Sequence, residues 1–153
     1  MIPAEILKAF GEWRVCGSAE ATREAARELA LLLPPDCTLA LHGGLGAGKT
    51  TFVGGLAKAF GVREAVTSPS YNIYSIYEGD FRQLIHMDAY RLPSPEAAES
   101  LMLEEFMHSP WCWVVEWPEK IGDALPPDAL HLDFEIVVEG THRFRVRSGI
   151  TNV

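Results

Sequence analysis

Nine consecutive residues, Gly43, Gly44, Leu45, Gly46, Ala47, Gly48, Lys49, Thr50 and Thr51, carry the strongest chemical signal in the chain, and the first eight fit G-x-x-x-x-G-K-[ST]. Glycines let successive backbone N–H groups turn toward the oxygens of a polyphosphate, and a helix opening at the lysine adds the positive potential of its N-terminus. The Lys49 ammonium then reaches the β- and γ-phosphates, while the Thr50 hydroxyl is placed for Mg²⁺. The pattern predicts a site for ATP with Mg²⁺. A glycine-rich turn without a ligand is the plain alternative, but it does not explain why the Lys-Thr pair arrives together with the glycines.

Such a site needs a carboxylate near the metal and one to orient the attacking water. Asp88 closes the apolar run that starts at Gln83, and Glu116 closes the run that starts at Trp111. Each is a candidate for either role, catalytic or metal-ligating, beside Thr50. A polar strand end facing solvent is the ordinary reading of either one alone, and their shared position after apolar runs favours the site. His86 shares a strand face with Asp88 and reads as a structural histidine or as one that holds a neighbour in place. Trp111 and Trp113 read as core, and Trp117 as packing or as a neighbour of the nucleotide. Arg143, Arg145 and Arg147 alternate along one strand face, which is by default a solvated face.

These residues need elements to position them. Cys37 to His42 is a mostly apolar run leading into the glycines, as a buried strand would, and a helix is expected from Lys49 to Phe60. The runs from Gln83 to Asp88 and from Trp111 to Glu116 read as strands. In open α/β sheets, ligands sit outside the carboxyl ends of strands, so both acidic residues and the glycine loop belong to one edge of the sheet. Ser18 is the expected N-cap of a helix from Ala19 to Leu33, which Pro34 and Pro35 stop. Ser94 to Met107 reads as a further helix with a serine cap and Glu96 in its first turn.

Val66 to Tyr77 is rich in β-branched and aromatic residues but contains Pro69, so it reads as a loop entering a strand or hairpin, with its Ser-Pro-Ser-Tyr stretch as a mobile switch. Alternation from Leu130 to Ile136 and again from Phe144 to Arg147, with turn residues at Glu139 and Gly140, predicts an antiparallel hairpin at one edge. The expected fold class is α/β: a mixed, mostly parallel sheet flanked by helices and carrying this C-terminal hairpin. No repeat, low-complexity tract or linker divides the chain, so residues 1–153 are expected to form a single domain, with 1–17 an N-terminal extension and first strand.

Composition sets the bounds. A chain of 153 residues buries roughly 70% of its unfolded surface. With 48% hydrophobic and 22% charged residues it has ordinary globular usage, and no segment reaches the roughly 20 apolar residues of a membrane span. The start of the sequence has no basic cluster followed by an apolar stretch, which predicts a cytoplasmic protein without a targeting segment. Cys16, Cys37 and Cys112 form no C-x-x-C pair and are odd in number, so buried free thiols are expected rather than a disulfide framework or a zinc site. A net charge of −8 and a pI near 5.1 disfavour unaided binding to nucleic acid.

Several stretches in order resemble the TsaE family, also called YjeE, of bacterial ATPases needed for threonylcarbamoyladenosine in tRNA. They are Gly46 to Phe52, Thr67-Ser-Pro-Ser-Tyr71, His86-Met-Asp-Ala-Tyr-Arg91, Pro95-Glu96 with Leu103-Glu-Glu105, and Val115-Glu-Trp-Pro-Glu119. The likeness runs from about Ser18 into the C-terminal hairpin. It implies that Lys49 and Thr50 contact phosphate and metal, that Asp88 is a carboxylate at the metal site, and that Glu116 is a metal or catalytic carboxylate. It also implies that the Ser-Pro-Ser loop senses nucleotide through Ser70, and that Glu119 and a basic residue near Arg143 approach the nucleotide. The family usually has Asp in place of Gly44, Thr in place of Ser70 and Gly in place of Met102. Ser70 keeps the hydroxyl but lacks the methyl group that restricts its rotamer.

The function implied is that of an accessory ATPase, slow alone. It serves a TsaD–TsaB assembly that modifies the adenosine beside the anticodon, and meets tRNA only indirectly. Three other classes compete. A small-molecule P-loop kinase also needs a substrate pocket and an arginine-bearing lid, for which no insertion is evident. A GTP switch needs an Asn-Lys-x-Asp pattern, which the sequence lacks. A nucleotide-gated binding module with negligible hydrolysis shares the same motifs.

Overall fold

The computed structural model describes residues 2–44, 46–69 and 72–148. Helix α1 (Ala4–Phe10) leads to strand β1 (Arg14–Cys16) and helix α2 (Ala19–Ala30). Strand β2 (Cys37–His42) enters the glycine loop, and helix α3 (Lys49–Ala59) leaves it. Then come β3 (Tyr74–Glu78), β4 (Gln83–Asp88), α4 (Pro95–Ser100), β5 (Trp111–Glu116), β6 (Leu130–Val138) and β7 (Thr141–Val146).

The seven strands form one sheet in the order β1-β7-β6-β2-β5-β4-β3. The four central strands, β6, β2, β5 and β4, run parallel, and the sheet turns antiparallel at both flanks. The predicted C-terminal hairpin is β6 and β7. It is not the edge, however, because β1 pairs outside β7. That three-residue strand lies within residues 1–17, the stretch read as an N-terminal extension and first strand, and α1 precedes it there.

Both faces of the parallel strands are covered, as their nearly unbroken apolar sequence requires. Leu39, Leu41, Leu84, Cys112 and Val114 point to one face and pack against α2 and α3. Ile85, Met87, Trp113 and Val115 point to the other and meet Leu92, Ala98, Leu103 and Ile121. The strand period of two therefore puts His86, Asp88, Val114 and Glu116 on the α3 side. Ser18 caps α2 through its side chain, which accepts from the Ala21 N–H at 3.1 Å. The three cysteines are buried free thiols, as expected.

One expected element divides. The helix read from Ser94 to Met107 ends at Ser100, and a separate 3₁₀ turn spans Leu103–Glu105. Met102 stands between them at φ 53°, the left-handed conformation that ends helices and that favours glycine. Ser94 makes no side-chain cap bond to α4. The apolar spacing across this stretch was genuine, but it came from two short pieces packed against one face, which periodicity alone does not separate.

Candidate nucleotide site

The loop after β2 cannot take an ordinary extended course, because β6 lies against it. A Cβ at Gly43 would stand 2.7 Å from the Phe134 carbonyl oxygen, so only glycine passes there. Gly48, at φ 97°, turns the chain so that α3 opens at Lys49. At Gly44, by contrast, a Cβ would meet nothing within 4 Å, so the backbone does not demand glycine at that position.

Lys49 is 5% exposed, and among the described residues its ammonium has three neighbours. It donates to the Gly43 carbonyl at 2.5 Å, lies 3.9 Å from Glu116 Oε1, and sits 4.9 Å from the centre of the Trp117 ring. A buried cation needs such partners, since a lone one would be heavily penalised. Glu116 is also buried, and Asp88 is its register partner across β4 and β5. Leu41 pairs with Glu116 on the other side, so the loop begins two residues beyond the level of both carboxylates. The Asp88 carboxylate accepts from the Tyr90 N–H at 3.0 Å, which holds it at the mouth of the cleft.

The Thr50 hydroxyl lies 3.0 Å from that of Ser68. Thr50, Ser68, Asp88, Glu116, Lys49 and Trp117 surround a cleft of about 270 Å³, to which Gly46, Gly48, Thr51 and His142 also contribute. Its oxygen donors are hard ones and suit Mg²⁺. No cluster of three His, Cys, Asp or Glu side chains able to hold a metal occurs among the described residues. That fits Mg²⁺, which is commonly held by one or two carboxylates and substrate phosphates rather than by a protein cage. A second hollow of about 240 Å³, which Trp117 also lines, lies between His42, Gly43, Gly44 and Glu119.

Behind the loop, His42 and His131 stack with ring centres 5.2 Å apart and share a hydrogen bond of 2.9 Å. Burial, then the Arg147 and His131 charges, pull His42 down to about 4. Burial and Arg147 lower His131 as well. Asp133 next to them is held below the usual carboxylate range. Burial opposes that shift, and the Arg147 and Arg145 guanidiniums outweigh it. The pair is therefore neutral at physiological pH and adds no positive charge under the loop.

Residues 16–144 match the family model described as threonylcarbamoyl adenosine biosynthesis protein TsaE. The chain belongs to the TsaE family. It is 33% identical over 132 residues to the tRNA threonylcarbamoyladenosine biosynthesis protein TsaE of Treponema pallidum, covering 86% of this chain and 97% of that one. Likeness to the TsaE of Streptomyces coelicolor reaches 42% over 122 residues, 78% of this chain and 82% of the relative. Among solved structures, YdiB from Bacillus subtilis superposes with a TM-score of 0.72 at 29% identity, over 90% of this chain and 86% of that one.

In this TsaE-family chain the motifs converge. Lys49, Thr50, Thr51, Asp88 and Glu116 line one cleft, and Glu119 borders the adjoining hollow. Leu45 and Ser70 lie outside the described residues; among the described residues the Thr50 hydroxyl meets that of Ser68. Arg143 points elsewhere: its guanidinium pairs with Glu135 at 2.6 Å and lies 4.2 Å from the centre of the Trp13 ring. From the hairpin, His142 is hydrogen-bonded to the Gly46 carbonyl at 2.8 Å. Sequence reasoning passed over His142 because strand alternation tells which residues share a face, not which face meets the loop. The bulge between Ile136 and Val138 further shifts the hairpin register.

Proposed function

We propose that the chain binds ATP with Mg²⁺ in this cleft, hydrolyses it, and thereby supports threonylcarbamoylation of the adenosine beside the anticodon in tRNA, acting through a TsaD–TsaB complex. The observation that carries the reading is the convergence of a buried lysine, two register-paired carboxylates and a threonine hydroxyl on a glycine loop at a helix N-terminus. Backbone N–H groups of the loop bind phosphate oxygens, and Lys49 exchanges its contact with the Gly43 carbonyl for the β- and γ-phosphates. Thr50 with Asp88 or Glu116 would hold Mg²⁺, which neutralises charge on the phosphates when bound. Whichever carboxylate is not on the metal orients the water.

The biological setting comes from the relatives, whose names assign them to threonylcarbamoyladenosine biosynthesis. A net charge of −8 supports a role in which partners, not this chain, hold the tRNA. Among the described residues no helix is long and apolar enough to cross a membrane, in keeping with work in the cytoplasm. The test is ATP hydrolysis by the purified chain alone and with TsaD and TsaB, followed by tRNA modification with the parent chain and with Lys49→Ala. Modification that needs the parent chain and fails with the variant supports the reading. Nucleotide binding without hydrolysis, even with partners, would leave a gated binding module instead.

A further inference from the structure

His86 is wholly buried, yet it is not a histidine satisfied by the core. Its Nε2 lies 2.6 Å from Glu116 Oε2, while its Nδ1 is buried with no hydrogen-bond partner among the described residues. Buried polar groups are almost always paired, so a ring that gives up one nitrogen is held by what the other nitrogen does. A carboxylate oxygen only accepts, so Nε2 carries the proton and Nδ1 is bare. The opposite tautomer would set two lone pairs against each other at 2.6 Å and bury an N–H with no acceptor. The ring's single polar bond is therefore a donation to Glu116.

That bond divides the carboxylate. Oε2 is taken from behind by β4, and Oε1 is the atom turned toward Lys49, 3.9 Å away. We propose that His86 is a positioning residue: its Nε2–H clamps one oxygen of Glu116 so that the other is presented to the phosphate cleft. This rests on the ATP reading above. Glutamate carries three rotatable side-chain bonds, and a freely turning carboxylate would meet the metal or the water with either oxygen and often with neither. Asp88, two residues along the same strand, has its own tether in the Tyr90 N–H. Thus β4 supplies both an acidic group and the clamp for its counterpart on β5.

The tautomer is read first, in the nucleotide-free protein, from the ¹⁵N shifts of the His86 ring. The proposal expects the Nε2-protonated form, and an Nδ1-protonated ring overturns it whether or not the chain hydrolyses ATP. Kinetics follow. In His86→Gln the amide nitrogen lies near the position of Nε2 and should restore hydrolysis close to the parent rate. His86→Leu should lower kcat about 10- to 100-fold, the scale for partners that orient ligating side chains, with little change in KM for ATP. In a Glu116→Gln background His86→Leu should cost little more, because there is no carboxylate left to aim. Equal losses in both backgrounds would reduce His86 to a packing residue and overturn the proposal. Should the leucine variant fail to fold by thermal melting, His86→Asn, whose amide nitrogen falls short of that position, replaces it and should be slower than His86→Gln. Equal rates for the two amides would again overturn the proposal. If the parent chain hydrolyses no ATP, the ATP reading falls while the ring tautomer still decides whether the clamp exists.

Discussion

Two adjacent glycines in α3 should respond oppositely to the same substitution. Gly54 and Gly55 both sit in a helix interior, where glycine costs about 0.5–1 kcal/mol relative to alanine. A Cβ at Gly54 would meet nothing within 4 Å, so Gly54→Ala should stabilise by about that amount. A Cβ at Gly55 would lie 2.5 Å from the Arg23 carbonyl oxygen and 2.8 Å from both Arg23 Cα and Ala26 Cβ of α2. Two of those atoms are backbone and cannot swing away. Overpacking of this kind costs about 1–3 kcal/mol, and a backbone obstacle argues for the upper end. Setting about 3 against the propensity gain of about 1 leaves Gly55→Ala destabilised by about 2 kcal/mol. Urea unfolding should separate the two variants by about 3 kcal/mol, or about 6–12 °C in Tm for a chain of this size. The effect should also reach the site, because α3 begins with Lys49 and Thr50: Gly55→Ala, but not Gly54→Ala, should weaken Mg-ATP in calorimetric titration. Changes of the same sign in both variants would refute the close approach of α2 and α3.

The His42–His131 stack predicts an acid-sensitive fold. His42 is depressed to about 4, so between about 6.5 and about 4 the unfolded chain binds the extra proton, and stability present at pH 7 is lost as pH falls through that window. His42→Gln should flatten the fall of the urea midpoint between pH 7.5 and pH 5, and an unchanged slope would remove His42 as its source. Glu116→Gln should lower ATP hydrolysis by roughly 10²-fold with little change in ATP affinity if the residue orients water. A raised Mg²⁺ requirement, partly rescued by excess metal, would instead mark a metal ligand, and normal hydrolysis with partners present would pass the role to Asp88.

Much of this architecture was legible because its signals are local. The strands Cys37–His42, Gln83–Asp88 and Trp111–Glu116 have the bounds read from their apolar runs, since strands buried on both faces are nearly continuous apolar sequence rather than a half-polar alternation. The loop and both carboxylates followed from the same runs. Features that depend on which surfaces meet were harder. Met102 breaks a helix by adopting a left-handed conformation that methionine does not advertise. Arg143 is drawn away from the loop by Glu135 and Trp13, partners 8 and 130 residues away in sequence. The bond between His86 and Glu116 crosses strands diagonally, and spacing could place the histidine only on the correct face.

The central claim, a site for Mg-ATP built around Lys49, is tested most directly by calorimetric titration of Mg-ATP into the parent chain and into Lys49→Ala. Removing the buried ammonium forfeits charge-assisted hydrogen bonds of about 1.5–3 kcal/mol to phosphate, so affinity should fall about 10- to 100-fold while the variant's unfolding remains cooperative. Equal affinity in the two proteins, or no binding by the parent, would contradict the account.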